Sequence, residues 1–164
     1  MKTLFIGGIK SGKSKSAESF ILKHNDIKPY YLATTELLDS EMSLRVVQHK
    51  EQRKNRFTTI EEPLQLYNTL QNLDRPILIE CLTMWINNML YHKKTAKEIY
   101  QEIELILQLP QDICFVLNDV GAGVIPNNRL ARTFVDISGT VAQQIADQCD
   151  EVYFCIAGLQ KRMK

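Results

Sequence analysis

The chain has almost no net charge: 20 Lys and Arg stand against 19 Asp and Glu, for a formal charge of +1 over 164 residues. That balance excludes the broad positive field that draws proteins onto nucleic acid or anionic membrane. Long apolar runs are missing as well, and none approaches the roughly 20 residues that a spanning helix needs. Gly (7) and Pro (5) are too few for a fibrous or low-complexity chain. The four cysteines, Cys81, Cys114, Cys149 and Cys155, are scattered without a CxxC or Cys/His spacing, so no metal site is expected from them. Buried, reduced thiols in a cytoplasmic enzyme are the expectation. The opening MKTLFIGG lacks the apolar length and small-residue cleavage site of a secretory signal.

What remains is an ordinary globular composition, 45% hydrophobic and 24% charged, in a chain long enough for one domain over residues 1–164. Five short apolar runs rich in β-branched or aromatic residues, at 3–6, 30–33, 77–79, 113–117 and 152–156, predict strands. Longer segments of helical spacing lie among them, at 13–24, 39–54, 63–72, 82–92, 96–107 and 128–149. Alternation of this kind predicts an α/β fold: a mainly parallel sheet with helices on both faces. Pro110 ends the helix before the fourth run. Gly121 and Gly123, straight after that run, mark backbone that turns tightly or approaches a ligand.

The segment GGIKSGKS, residues 7–14, satisfies G-x-x-x-x-G-K-S between a predicted strand and a predicted helix. Gly7, Gly8, Ile9, Lys10, Ser11 and Gly12 would turn consecutive backbone N–H groups toward phosphate oxygens, with the positive end of the helix behind them. Lys13 would reach the β and γ phosphates, and the Ser14 hydroxyl would ligate Mg²⁺. A second, acidic ligand is expected at the carboxyl edge of the sheet, where open α/β sheets bind ligands. Glu80 and Asp119 both close apolar runs there, and the sequence leaves open which one holds the metal.

Residues 39–53, DSEMSLRVVQHKEQR, begin a predicted helix with Asp39 as N-cap, and Glu41, Arg45 and His49 share one side of it. An imidazole beside phosphate-binding cations can attack phosphorus as a neutral nucleophile, although a lone His between Gln48 and Lys50 is more often a solvated helix residue. The basic group Lys50, Arg53, Lys54 and Arg56 also reads as a solvated helix end. His24 and His92 read as surface residues.

Taken in order, GGIKSGKS (7–14), YLATTELLDSEMSLRVVQHK (31–50), TIEEP (59–63), ILIECLTMW (77–85) and NDVGAGVIPNNRLARTFVDISGTVAQQIA (118–146) resemble the bifunctional adenosylcobinamide kinase/adenosylcobinamide-phosphate guanylyltransferases of cobalamin assembly. The resemblance spans nearly the whole chain. It implies a RecA-like P-loop NTPase fold, a homotrimer, and two reactions using ATP and GTP. First, the γ-phosphoryl group of a nucleoside triphosphate passes to the hydroxyl of the corrinoid's aminopropanol arm. Then a histidine takes GMP from GTP and hands it to the new phosphate. The family's Arg-x-x-x-His falls on Arg45 and His49, making His49 the implied nucleophile. Its nucleotide contacts fall on residues 7–14, on Ala33, Thr34 and Thr35, on Lys50, Glu51, Gln52 and Arg53, and on Glu61 and the strand end at Glu80 to Leu82. For Thr34, Thr35 and Glu61, turn or capping chemistry is the other reading. Arg129 and Arg132, three apart on one helix, could clamp substrate phosphate or form surface salt bridges. Three departures stand out: Asp119 replaces the family's usual Glu, the stretch at 92–95 is short, and Trp85 occupies a usually aliphatic place.

Two other readings share the same motif: a plain small-molecule kinase in which His49 is idle, and a nucleotide-dependent regulatory protein. Against a switch GTPase, Asn118-Asp119 continues as Val120-Gly121 and makes no N-K-x-D.

Overall fold

The computed structural model describes residues 1–36 and 55–164. The helix expected at 39–54 lies outside the described residues, and with it Arg45, His49, Lys50, Glu51, Gln52 and Arg53.

Among the described residues the order is β1 (Lys2–Gly7), α1 (Lys13–Lys23), β2 (Tyr30–Ala33), β3 (Thr58–Glu61), α2 (Leu66–Leu70), β4 (Ile77–Glu80), α3 (Leu82–Tyr91), α4 (Ala96–Leu107), β5 (Ile113–Asn118), α5 (Arg129–Gln148), β6 (Glu151–Ile156) and β7 (Leu159–Arg162). The strands form one sheet in the order β3-β2-β4-β5-β1-β6-β7. All neighbours are parallel except β6 and β7, which form an antiparallel hairpin at the edge.

The pleat sends alternate side chains to opposite faces. Leu4, Leu32, Ile77, Ile79, Phe115 and Leu117 enter a core covered by α2, α3, α4 and α5, whereas Phe5, Tyr31, Leu78, Cys114 and Val116 enter a second core beneath α1. Helices therefore cover both faces, as the alternation predicted. Burial on both faces explains why the strands read as continuous apolar runs. The two strands without such a reading, β3 and β7, are the edges: Thr58–Glu61 has one apolar residue, Ile60, and Leu159–Arg162 is exposed throughout. Lys161 and Arg162 place charge on that edge, where it discourages pairing with another chain.

Local chemistry sets the helix starts. Thr95 caps α4 in a capping box with Glu98, and the Asn128 side chain caps α5 by accepting from the Ala131 N–H at 2.8 Å. Trp85, unexpected from the family pattern, is fully buried in α3, and its indole N–H donates to the Leu64 carbonyl at 2.9 Å. Its bulk fills the space between α3 and the chain leaving β3, and its one polar group has a partner. Asn88, also buried in α3, donates to the carbonyls of Thr34 (2.7 Å) and Pro63 (3.1 Å), tying the ends of β2 and β3 to that helix.

Candidate active site

β1 lies between β5 and β6, so the loop that leaves it at Gly7 sits mid-sheet at the carboxyl edge. Gly12, at the N-cap of α1, takes φ 94°, a left-handed value that glycine adopts without strain. Unlike α4 and α5, α1 starts with no side-chain cap, and its first-turn N–H groups face the loop. Such an end attracts anions through its N–H groups and dipole together. Lys13 is buried and its ammonium reaches back to the Gly8 carbonyl at 3.1 Å, closing the cradle from below.

The hairpin of β6 and β7 backs this loop. Ala157 (φ 51°) and Gly158 (φ 80°) give the two consecutive positive φ values of a two-residue hairpin turn. From that turn the Gly158 N–H donates to the Ser11 carbonyl at 2.9 Å. The contact is close: a Cβ placed on Gly12 would stand 3.0 Å from the Gly158 Cα, and one placed on Gly7 would overlap the Cys155 carbonyl oxygen. Holding the Ser11 carbonyl outward leaves the neighbouring N–H groups free to turn toward an anion. No local pattern in the sequence ties Gly158 to the loop, because hairpin and loop are nearly 150 residues apart.

The two candidate carboxylates separate clearly. Ser14 Oγ donates to Glu80 Oε1 at 2.8 Å, across from α1 to the end of β4. Asp119 follows β5, which lies between β4 and β1; its N–H donates to the Gly7 carbonyl at 3.0 Å and its Oδ1 accepts from the Gly121 N–H at 3.2 Å. Beside it opens a cleft of about 580 Å³ lined by residues that include Gly8, Ser11, Val120, Gly123 and Ile156.

The other expected contacts are placed as follows. Ala33 pairs with both Glu80 and Glu61 across the sheet, so these three strand ends converge. Thr35 follows them at the edge and is half-buried. The Thr34 hydroxyl is fully buried, donating to the Cys81 carbonyl (2.8 Å) and accepting from the Cys81 N–H (3.0 Å). Its role in the structure is to fix the chain leaving β4, through the cis peptide Glu80–Cys81. Leu82 points into the core, so only its backbone faces the edge. Arg129 is exposed at the start of α5, and the Arg132 guanidinium donates to the carbonyls of Pro126 (3.0 Å) and Asn127 (2.9 Å), stapling its own loop. His24 is exposed, its ring on Phe20 and its Nδ1 2.8 Å from the Phe20 carbonyl. His92 is at the surface, its Nε2 3.1 Å from Glu36. Arg56, the described member of the basic group, pairs with Glu18 of α1 at 3.1 Å.

All four cysteines are free and buried. Burial pushes the Cys149 thiol up to about 12 and raises those of Cys81, Cys114 and Cys155 as well, so all four are held as neutral thiols.

A strand, an amide-lined loop, a buried lysine and a serine–carboxylate pair at the carboxyl edge of a mainly parallel sheet define a P-loop nucleotide-binding enzyme. The family model for cobinamide kinase / cobinamide phosphate guanyltransferase, CobU, matches residues 3–163. The chain is 36% identical over 170 residues to the bifunctional adenosylcobalamin biosynthesis protein CobP of Pseudomonas aeruginosa, covering 100% of this chain and 98% of that protein. It is 33% identical over 187 residues to CobU of Salmonella typhimurium, covering both proteins fully. The chain belongs to the CobU family. Among solved structures, the Pyrococcus horikoshii protein PH0250 superposes with a TM-score of 0.56 at 10% identity, over 99% of this chain and 85% of that one, a likeness of fold alone. No helix among the described residues is long and apolar enough to cross a membrane.

Proposed function

We propose that this enzyme carries both activities of its family: it phosphorylates the aminopropanol hydroxyl of adenosylcobinamide with a nucleoside triphosphate, then transfers GMP from GTP to that phosphate through His49. The observation that carries the phosphate half is the 2.8 Å bond from Ser14 to Glu80 beside the uncapped start of α1. Two hard oxygen donors in that position suit Mg²⁺, which takes one or two protein oxygens and completes its shell with phosphate and water. Ser14 and Glu80 are thus the residues that would hold it, and when bound it neutralises charge on the β and γ oxygens.

The residues' own roles follow. The loop N–H groups and Lys13 bind the triphosphate and orient its terminal phosphorus, a task of positioning and charge stabilisation. In the second reaction the neutral imidazole of His49 attacks the α-phosphorus of GTP. A nitrogen–phosphorus bond forms, the bond from that phosphorus to the β-bridging oxygen breaks, and pyrophosphate leaves with the electron pair. An oxygen of the corrinoid phosphate then attacks the same phosphorus and releases the imidazole. Support for this step is the match of Arg45 and His49 to the family's Arg-x-x-x-His within a full-length relationship. Four unpaired, buried thiols accord with a cytoplasmic setting.

The test is incubation with α-labelled GTP followed by denaturation and mass spectrometry. One added GMP is expected on the peptide carrying His49, and His49→Ala should abolish it while cobinamide phosphorylation persists. Equal loss of both activities would make His49 structural. Phosphorylation without any adduct in the unaltered enzyme would leave a plain kinase.

A further inference from the structure

Residues 8–11 of the phosphate loop make a β-turn, closed by the Ser11 N–H donating back to the Gly8 carbonyl at 3.2 Å. Lys10 is the third residue of that turn and takes φ 56°, whereas Ile9 before it has no positive φ. Those signs are the ones of a type II turn, whose third residue is ordinarily Gly or Asn because the backbone crowds a Cβ there. Two other described residues with side chains hold a positive φ, Lys93 just past α3 and Ala157 in the hairpin turn. Both stand where left-handed backbone is usual, at a helix end and in a tight hairpin. Lys10 instead belongs to a segment that uses glycine at 7, 8 and 12. A side chain kept where glycine would sit more easily points to a use for that side chain.

Its ammonium is available. Lys10 is exposed, and it is the one basic residue among the described residues that line the cleft of about 580 Å³ at the loop. No hydrogen bond or ion pair ties it to another described residue. Lys13, by contrast, is buried and held against the Gly8 carbonyl at 3.1 Å. The loop therefore carries one cation fixed beneath it and a second, on a long flexible stem, at its open side. During phosphoryl transfer negative charge spreads over the γ oxygens and the bridging oxygen, and a cation placed on them speeds the step.

We propose that Lys10 is a catalytic residue of the phosphoryl transfer, its ammonium meeting the γ-phosphoryl oxygens from the open side of the loop as charge builds on them. The proposal rests on the kinase half of the function proposed above and adds a second cation to it. In the step, the acceptor oxygen forms a bond to the γ-phosphorus and the bond from that phosphorus to the β–γ bridging oxygen breaks. The nucleoside diphosphate leaves with the electron pair, and the hydroxyl proton passes to water. Lys10 keeps its own proton throughout. A charge that the transition state needs more than the bound nucleotide does is felt in kcat rather than in the nucleotide KM.

The test is steady-state cobinamide phosphorylation by the full chain and its Lys10→Met, Lys10→Arg and Lys10→Gly variants, with kcat and nucleotide KM measured separately beside a thermal melt. Lys10→Met keeps the length and loses the charge, so kcat should fall by about 100-fold or more while the nucleotide KM stays within about threefold. Lys10→Arg returns the charge and should bring kcat back to within about tenfold of the unaltered chain. Lys10→Gly removes both the charge and the crowded Cβ. Its kcat should fall as in Lys10→Met while Tm holds or rises by up to about 4 °C, so that the loss is not one of folding. A raised nucleotide KM with kcat unchanged, or a kcat in Lys10→Met within about threefold of the unaltered chain, overturns the assignment and leaves the proposed function standing. So does a Lys10→Arg as slow as Lys10→Met, or a Lys10→Gly that melts lower. If the unaltered chain binds nucleotide but phosphorylates no cobinamide, the kinase half of the proposed function fails and the assignment with it.

Discussion

Gly7→Ala isolates the contact between the phosphate loop and the β6 strand end. The new Cβ would overlap the Cys155 carbonyl oxygen and stand 3.1 Å from its carbon and 2.8 Å from Ser11 Oγ. Relaxed carbon–carbon contacts lie at about 3.5–4.0 Å, so the carbon alone demands several tenths of an ångström and the oxygen more. Both partners are main chain in paired strands, Gly7 opposite Cys155, so neither can rotate away as a side chain would. The relief is a displacement of the loop by about 1 Å. Overpacking of this kind costs about 1–3 kcal/mol, which in a chain of this length lowers Tm by about 2–12 °C. Misplacing catalytic groups by about 1 Å costs about 100-fold, and nucleotide affinity is the first quantity to register it. Titration of a fluorescent nucleotide beside a thermal melt measures both. Gly8→Ala is the matched control, since its Cβ meets nothing within 4 Å. If Gly7→Ala binds nucleotide within about threefold of the unaltered chain, the idea that β6 fixes the loop is refuted.

Two further outcomes follow from the structure. Gly139 sits inside α5 with open space around its missing Cβ, so Gly139→Ala should stabilise by about 0.5–1 kcal/mol and raise Tm by about 1–4 °C; an unchanged or lower Tm would show that the exposed side of α5 is covered by something else. The Thr95 backbone and hydroxyl, donating to Glu98, lower that carboxyl to about 2 from an ordinary 4.5. Because the folded value is depressed, the cap contributes fully above pH 4.5 and is lost as pH falls through about 2; NMR titration should find Glu98 at that low midpoint, and Thr95→Ala should move it upward.

Much of the fold was legible in the sequence because the sheet is buried on both faces: β2 and α4 begin and end where their apolar patterns do, and the other predicted elements within the described residues differ by a few residues at most. β3 escaped because an edge strand reads Thr-Thr-Ile-Glu, and β7 because an exposed strand has no apolar signal at all. The phosphate loop was legible from spacing, since its glycines, Lys13 and Ser14 lie together in one short segment between a strand and a helix. Which carboxylate faces Ser14 was not, because Glu80 and Asp119 both close apolar strands at the same edge, and only the packed position of α1 brings the Ser14 hydroxyl to the end of β4. Thr34 shows the reverse: a residue brought forward by family likeness has its hydroxyl engaged by the Cys81 backbone. Trp85 became intelligible once its indole was seen to reach Leu64.

The central position of β1 also bears on the order of events during synthesis. The ribosome releases this strand before either of its neighbours exists, for Lys2 pairs with Ile113 and Gly7 with Cys155. A nascent or prematurely halted product that has not reached the final hairpin holds a complete nucleotide motif in its sequence and no brace to shape it. Competence to grip a triphosphate therefore arrives late in translation, and polypeptides cut short before that hairpin should be inert toward nucleotide.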